Sequence, residues 1–243
     1  LREEFLVGKS TVYGSVSFYD FLRPENKGKK VYACNGSACL TAGTQPDLLK
    51  KLGGAFKGEE IGEVCCLGRC HENAAFFYNG QNFSGNDINL IDSIKAGKTI
   101  TAERYNVGSL GTPILTAEYP SVSEYYQIFK DAIQKSPTEL LGELKQSGLR
   151  GRGGAGFSMA FKLESCRSAA GDTKFIVCNA DEGDPGAYSD RYIMEQRPHH
   201  LLMGMMLAGY MAGASKGVVY IRGEYPESVE IITRAIYELQ EQH

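Results

Sequence analysis

The stretch KKVYACNGSAC, Lys29 to Cys39, decides how the first half of the chain folds. KKVYA (Lys29–Ala33) reads as a strand, and it runs directly into a loop that carries Cys34 and Cys39 in C-x4-C spacing. Working outward, Gln45 to Leu52 has helical spacing and reaches a stop at Gly53-Gly54. EIGEVC is a second strand, and it leads into a second thiol loop, VCCLGRC, with Cys65, Cys66 and Cys70. AAFFY and QNF flank Asn79-Gly80, the pair that favours the positive φ values of a type I′ turn, so a hairpin follows. NDINLIDSIKAG reads as a capped amphipathic helix closed by Gly97.

Strand, helix, strand, hairpin, helix over residues 28–98 is consistent with a thioredoxin-like fold, preceded by an N-terminal extension at 1–27. Structural zinc sites use C-x2-C knuckles, as do thioredoxin-type dithiols, and neither spacing occurs here. The wider first loop, with Gly36 and Ser37 inside it, can wrap backbone amides around inorganic sulfides. Gly68 lets the second loop turn tightly. Four thiolates, two from each loop, match a [2Fe–2S] cluster held by Cys34, Cys39, Cys66 and Cys70. Zinc and ordinary buried thiols remain the alternatives. Cys65 is expected in the core, pointing opposite to Cys66 by strand alternation. Cys166 and Cys178, alone in a helix and a strand, are expected to be buried free thiols.

The chain has 243 residues, enough for two modest domains, with 42% hydrophobic residues and a net charge of −3. That charge and the lack of a Lys/Arg cluster speak against a nucleic-acid partner. The most apolar segment, LLMGMMLAGYMAGA (201–214), falls short of the ~20 residues needed to span a bilayer and reads as a buried helix, so no membrane insertion is expected. Seven cysteines, five of them between 34 and 70, argue against a secreted disulfide framework and for a reducing compartment, the cytoplasm. The chain lacks an initiator Met and ends within a helical pattern, so it is read as a piece of a longer polypeptide.

Residues 99–120 read as a linker, and 121–243 as a second domain. SEYYQIFKDAIQ is an amphipathic helix. SPTELLGELKQSG carries a full helix grammar, with Ser136 at the N-cap, Pro137 next, Glu139 closing a capping box and Gly148 at the stop. KFIVCNA and GVVYI read as strands buried on both faces, separated by a helix at about 198–212, and the alternation implies an α/β sheet with parallel pairing. Two polar constellations flank the first of these strands. GLRGRGGAGF (148–157) leaves main-chain amides bare at the start of a helix, an anion cradle for a nucleotide phosphate to which Arg150, Arg152 and Lys162 could add charge. Its G-x-G-x-x-G follows a helix, so the usual dinucleotide-fold context fails. CNADEGDPGAYSDR, after the first strand, crowds Asn179, Asp181, Glu182 and Asp184 where α/β proteins bind ligands.

GLRGRGGAGF, KFIVCNADEGDPGAYSDRY, RPHHLLMGMMLAGYMAGA and GVVYIRGEYP together resemble the flavin-binding subunit of NADH dehydrogenases. That family comprises the NADH-oxidising subunit of complex I and its relatives in NAD-reducing hydrogenases and NAD-dependent formate dehydrogenases. The N-terminal cysteine pattern is similar to the thioredoxin-like [2Fe–2S] domain that accompanies that subunit, here on the same chain. The resemblance implies FMN over the glycine loop, near Gly151, Arg152, Gly153 and Gly154, with Lys162 at the flavin or its phosphate. Asn179, Asp181, Glu182 and Gly183 would contact the isoalloxazine and ribityl. Phe157 would face the adenine of NAD(H), and Asp184 its ribose.

The implied reaction is hydride transfer from NADH to FMN, then single-electron steps to iron–sulfur clusters. It needs no general acid, base or nucleophile, so no catalytic residue is assigned. Implied partners are other iron–sulfur and catalytic subunits of a multi-subunit oxidoreductase. A [4Fe–4S] cluster is expected only in a C-terminal part beyond His243. The chain departs from the family where Asp184 stands for Glu, where Met159 and Ala160 stand for Thr-Gly, and at Ser165, where an aromatic is usual. The expected fold class is α/β: an N-terminal thioredoxin-like [2Fe–2S] domain followed by part of an α/β flavin-binding domain.

Overall fold

The computed structural model describes residues 4–98, 108–118 and 121–241. The remainder of the expected linker, 99–107 and 119–120, lies outside the described residues. The chain divides into two compact units. The first comprises Leu1–Tyr105 with Glu182–Arg191 and Arg222–Glu227, and the second Asn106–Asp181, Tyr192–Ile221 and Ser228–His243.

In the first unit, helix α1 (Lys9–Phe18) buries no residue, and short 3-10 turns at Asp20–Leu22 and Pro24–Asn26 lead from it to the sheet. The sheet holds β1 (Val31–Cys34), β2 (Ile61–Val64), β3 (Phe76–Tyr78) and β4 (Gln81–Phe83) in the order β2-β1-β3-β4. β1 pairs with β2 in parallel and with β3 antiparallel, and β3 turns into β4 through Asn79 (φ 49°) and Gly80 (φ 78°), the I′ signature expected. Between β1 and β2 run α2 (Ser37–Thr41) and α3 (Gln45–Ala55).

α3 does not stop at Gly53-Gly54 but continues to Ala55. Each helical glycine costs about 1 kcal/mol, whereas Leu48 and Leu52, one turn apart and fully buried, contribute about 1.5–3 kcal/mol each. The expected closing helix is also shorter. Residues Gly85–Leu90 form a 3-10 stretch capped by Ser84 and Asp87, and only Ile91–Lys95 is α-helical (α4). Leu48, Leu52, Phe56, Ile91 and Ile94 pack with Val31, Phe76 and Phe83 as one core. A second cluster joins Cys34, Cys39, Val64, Leu67 and Ala75 to Phe21, Tyr32 and Phe77. Asn26 closes the edge of β2: its side chain donates to Glu63 O at 2.7 Å and accepts from Glu63 N–H at 3.2 Å.

In the second unit, α5 (Val122–Ala132), α6 (Pro137–Ser147) and α7 (Met159–Ser168) precede β5 (Phe175–Ala180). α8 (Ser189–Gln196), whose first three residues belong to the first unit, and α9 (Pro198–Ala212) then lead to β6 (Lys216–Ile221), which pairs with β5 in parallel, and α10 (Pro226–Glu241), whose first two residues also belong to the first unit, follows. The grammar read for α6 is present in full: Ser136 and Glu139 form the capping box, and Gly148 adopts φ 66°. Leu141, Leu163, Met211 and Ala212 form the core with Leu144, Cys166, Ile176 and Leu207.

Two expectations fail here. β5 and β6 are not buried on both faces: Phe175, Val177, Val218 and Tyr220 are exposed. Burial follows strand alternation, with Ile176 turned to the helices and its neighbours turned away. Cys166 and Cys178 are half-buried rather than enclosed.

Candidate cluster and flavin sites

β1 and β2 are parallel, so the loops that follow them leave the same end of the sheet. That places the C-x4-C loop beside the C-x3-C loop. Cys34 and Cys39 are hydrogen-bonded to each other, and Cys66 Sγ lies 3.3 Å from Cys70 Sγ. Cys34, Cys39 and Cys66 are buried and Cys70 is half-buried. Backbone amides converge on the sulfurs. Gly36 N–H donates to Cys34 Sγ at 3.4 Å, and Gly186 N–H to Cys70 Sγ at 3.1 Å. The amides of Leu67 and Cys66, from the second loop, point at Cys34 in the first.

In each pair one thiol activates the other. The hydrogen bond from Cys39 brings Cys34 down to about 6, with the Gly36, Leu67 and Cys66 amides helping and burial opposing. The hydrogen bond from Cys70 does the same for Cys66, again to about 6, helped by the Gly68 amide and by the charge of Arg222. Cys39 and Cys70, which keep their protons in these bonds, are pushed up. The sulfurs thus come as two pairs. Among the described residues no group of three or more His, Cys, Asp or Glu is arranged to hold a single metal ion.

Cys65 is exposed, which corrects the expectation of a core position. Burial alternates through this stretch, with Val64 and Cys66 buried and Glu63 and Cys65 exposed, so Cys65 does point opposite to Cys66, but the face it shares with Glu63 is open rather than packed. Its N–H donates to the carboxylate of buried Asp20, and its carbonyl accepts from Arg222 Nη2 at 3.1 Å.

In the second unit the glycine loop is closed at its base. Arg150 and Ser158 form an antiparallel bridge, Gly151 N–H donates to Phe157 O at 2.8 Å, and Arg150 Nη1 reaches Gly156 O at 2.9 Å. The loop tip stands open. Gly153 and Gly154 have nothing within 4 Å of where a side chain would stand, and Gly154 (φ +105°) requires glycine. Ser158 caps α7 by accepting from Phe161 N–H, and Lys162 is exposed in the first turn of that helix. Bare amides, an exposed Arg152 and a helix N-terminus suit an anionic phosphate. Phe157 packs edge-on against Phe161, with ring centroids 5.5 Å apart, and both are exposed.

Asn179 and Asp181 lie at the C-terminal end of β5, where Asp181 N–H donates to Asn179 Oδ1 at 3.2 Å. Glu182 to Asp184 belong to the first unit. Gly183 and Asp184 are exposed there, whereas the carboxylate of Glu182 is buried and accepts from Arg191 N–H at 2.8 Å. Burial raises its pKa. The reading from sequence missed Arg191, Arg222 and Tyr225, all buried in this unit. They sit in SDRY and RGEYP, stretches of the motifs quoted above whose roles local sequence does not specify.

Residues 144–243 match the model of the Nuo51 FMN-binding domain, which makes this part of the chain similar to a class of flavin-binding domains. Over 256 residues the chain is 28% identical to the NAD-reducing hydrogenase HoxS subunit alpha of Cupriavidus necator, covering 93% of this chain and 42% of that one. It is 42% identical over 127 residues to the F 2 subunit of NADH-quinone oxidoreductase of Rhizobium meliloti, covering 52% of this chain and 30% of that one. A crystal structure of NAD+-reducing [NiFe]-hydrogenase in the air-oxidised state matches 99% of this chain and 45% of its own, with a TM-score of 0.71 at 26% identity. The chain therefore spans less than half the length of these relatives.

Proposed function

We propose that this chain is an electron-transfer module that moves electrons between NAD(H), FMN and iron–sulfur clusters inside a multi-subunit oxidoreductase of the hydrogenase, formate dehydrogenase or complex I type. The observation that carries the proposal is the meeting of two thiol pairs from two adjacent loops, on a chain whose residues 144–243 match an FMN-binding domain. The strand order β2-β1-β3-β4, with a parallel first pair and an antiparallel hairpin, supports a thioredoxin-like first unit. Two pairs of sulfurs, one from each loop, suit two irons with two thiolates apiece. Cys34, Cys39, Cys66 and Cys70 would hold the [2Fe–2S] cluster. The Gly36 and Gly186 amides would stabilise the negative charge on its sulfurs.

The tip amides of Arg152 to Gly154 and the Arg152 and Lys162 side chains would take the FMN phosphate, with Gly151 beside it holding the base of the loop against Phe157. Asn179, Asp181, Glu182 and Gly183 would offer polar groups to the ring and ribityl, and Phe157 and Asp184 would serve the nucleotide. Bound FMN supplies hydride acceptance and single-electron release, and the chain supplies position and charge. No described helix is long and apolar enough to cross a membrane. The test is turnover of NADH with a dye acceptor by the full-length protein reconstituted with FMN. Arg152→Ala with Lys162→Ala should weaken FMN binding at least tenfold; unchanged flavin affinity would remove the glycine loop from the site.

A further inference from the structure

Two guanidiniums lie buried in the first unit against the second thiol loop. Arg191, with a side chain 1% exposed, donates from Nη1 to Leu67 O at 2.9 Å and from Nη2 to Glu227 Oε2 at 3.1 Å. Arg222 donates from Nη2 to Cys65 O at 3.1 Å, from Nη1 to Glu182 O at 2.7 Å and from Nε to Glu224 Oε2 at 3.1 Å. Both guanidiniums lie over the ring of Tyr225, at 4.9 and 5.1 Å, and the Tyr225 hydroxyl donates to Glu182 O at 3.3 Å. The carbonyls on either side of Cys66 are thus fastened to two fixed positive charges. The Glu182 carbonyl is tied to the same group, and Gly186, four residues on, donates to Cys70 Sγ.

We propose that Arg191 and Arg222 are positioning residues that set the reduction potential of the cluster, by fixing two buried positive charges on the loop that carries Cys66 and Cys70. The inference rests on the cluster reading above. An electron added to the cluster increases the negative charge within the thiolate cage. A permanently charged guanidinium in a low-dielectric surrounding stabilises that form and raises the potential. Arginine suits the task because its charge persists at every pH and its planar fork engages two acceptors at once. Glu224, bound to Arg222, opposes it, so the two residues have opposite signs of effect.

The experiment is an EPR-monitored redox titration of the full-length, cluster-loaded protein. At the wild-type midpoint, where reduced and oxidised cluster are equal, Arg222→Gln should lower the reduced-to-oxidised ratio about tenfold, a shift of about 59 mV for a one-electron couple. Arg222→Lys should retain most of the wild-type potential. Glu224→Gln should move the ratio upward. Shifts of opposite sign distinguish charge from loss of packing, which would move both variants alike. Unchanged midpoints, or shifts of one sign, overturn the inference while leaving the cluster in place. If Arg222→Gln fails to assemble, Glu224→Gln decides alone, and a potential that does not rise refutes it. A wild-type protein without a [2Fe–2S] signal would instead remove the reading on which it rests.

Discussion

Gly68 in the second thiol loop is where backbone conformation and packing bear on one residue. It sits at φ +71°, and a Cβ placed there would stand 2.8 Å from Arg191 Nη1 and 2.9 Å from Tyr225 Cζ. Neither neighbour can yield cheaply, since Tyr225 is fully buried and carries both guanidiniums. In Gly68→Ala the left-handed backbone costs about 1–2 kcal/mol, and overpacking adds about 1–3 kcal/mol. The sum, about 2–5 kcal/mol, should lower the urea midpoint followed by far-UV circular dichroism by roughly 1–2 M. Gly53→Ala is the control: Gly53 lies within α3 with nothing within 4 Å. That change should stabilise by about 0.5–1 kcal/mol. A Gly68→Ala protein that unfolds at or above the wild-type midpoint, or no differently from the control, would refute the packing described for this loop.

Leu52→Ala, at a site 0% exposed in the first core, should cost about 2–5 kcal/mol. Leu49→Ala, 38% exposed and on the outer side of the same helix, should cost less than about 1 kcal/mol on the same urea curve. In cluster-free protein, ultraviolet thiolate absorbance should rise by two thiolates around pH 6, from Cys34 and Cys66, and Cys39 and Cys70 should stay protonated to well above pH 9. The folded values of Cys34 and Cys66 lie below the ordinary 9.0, so their contribution to stability is present above pH 9 and is lost as pH falls through about 6. A single rise near pH 9 would contradict the paired-thiol geometry.

What the sequence made legible was local. The Asn79-Gly80 turn, the Ser136–Glu139 capping box and the α9 helix each depend on residues within a few positions, and each is present. The thiol loops could be placed together because a parallel strand pair delivers them to one end of a sheet. What failed was non-local. The burial of β5 and β6 depends on what lies over their outer faces, and their composition does not specify that. Cys65 obeys the alternation, opposite to buried Cys66, but the face it shares with Glu63 is exposed, which the spacing alone does not specify. The roles of Arg191 and Arg222 arise from hydrogen bonds across 124 and 157 residues of sequence, to Leu67 O and Cys65 O, which no motif spacing encodes.

The central claim is that Cys34, Cys39, Cys66 and Cys70 hold two irons. Low-temperature EPR of the dithionite-reduced protein, taken with iron and acid-labile sulfide analysis, tests it most directly. The wild type and Cys65→Ser should give the same [2Fe–2S] signal with about two irons and two sulfides per chain. Cys34→Ser and Cys66→Ser should lose it. A spectrum that survives Cys34→Ser unchanged, or a preparation that binds zinc and no sulfide, would contradict the account.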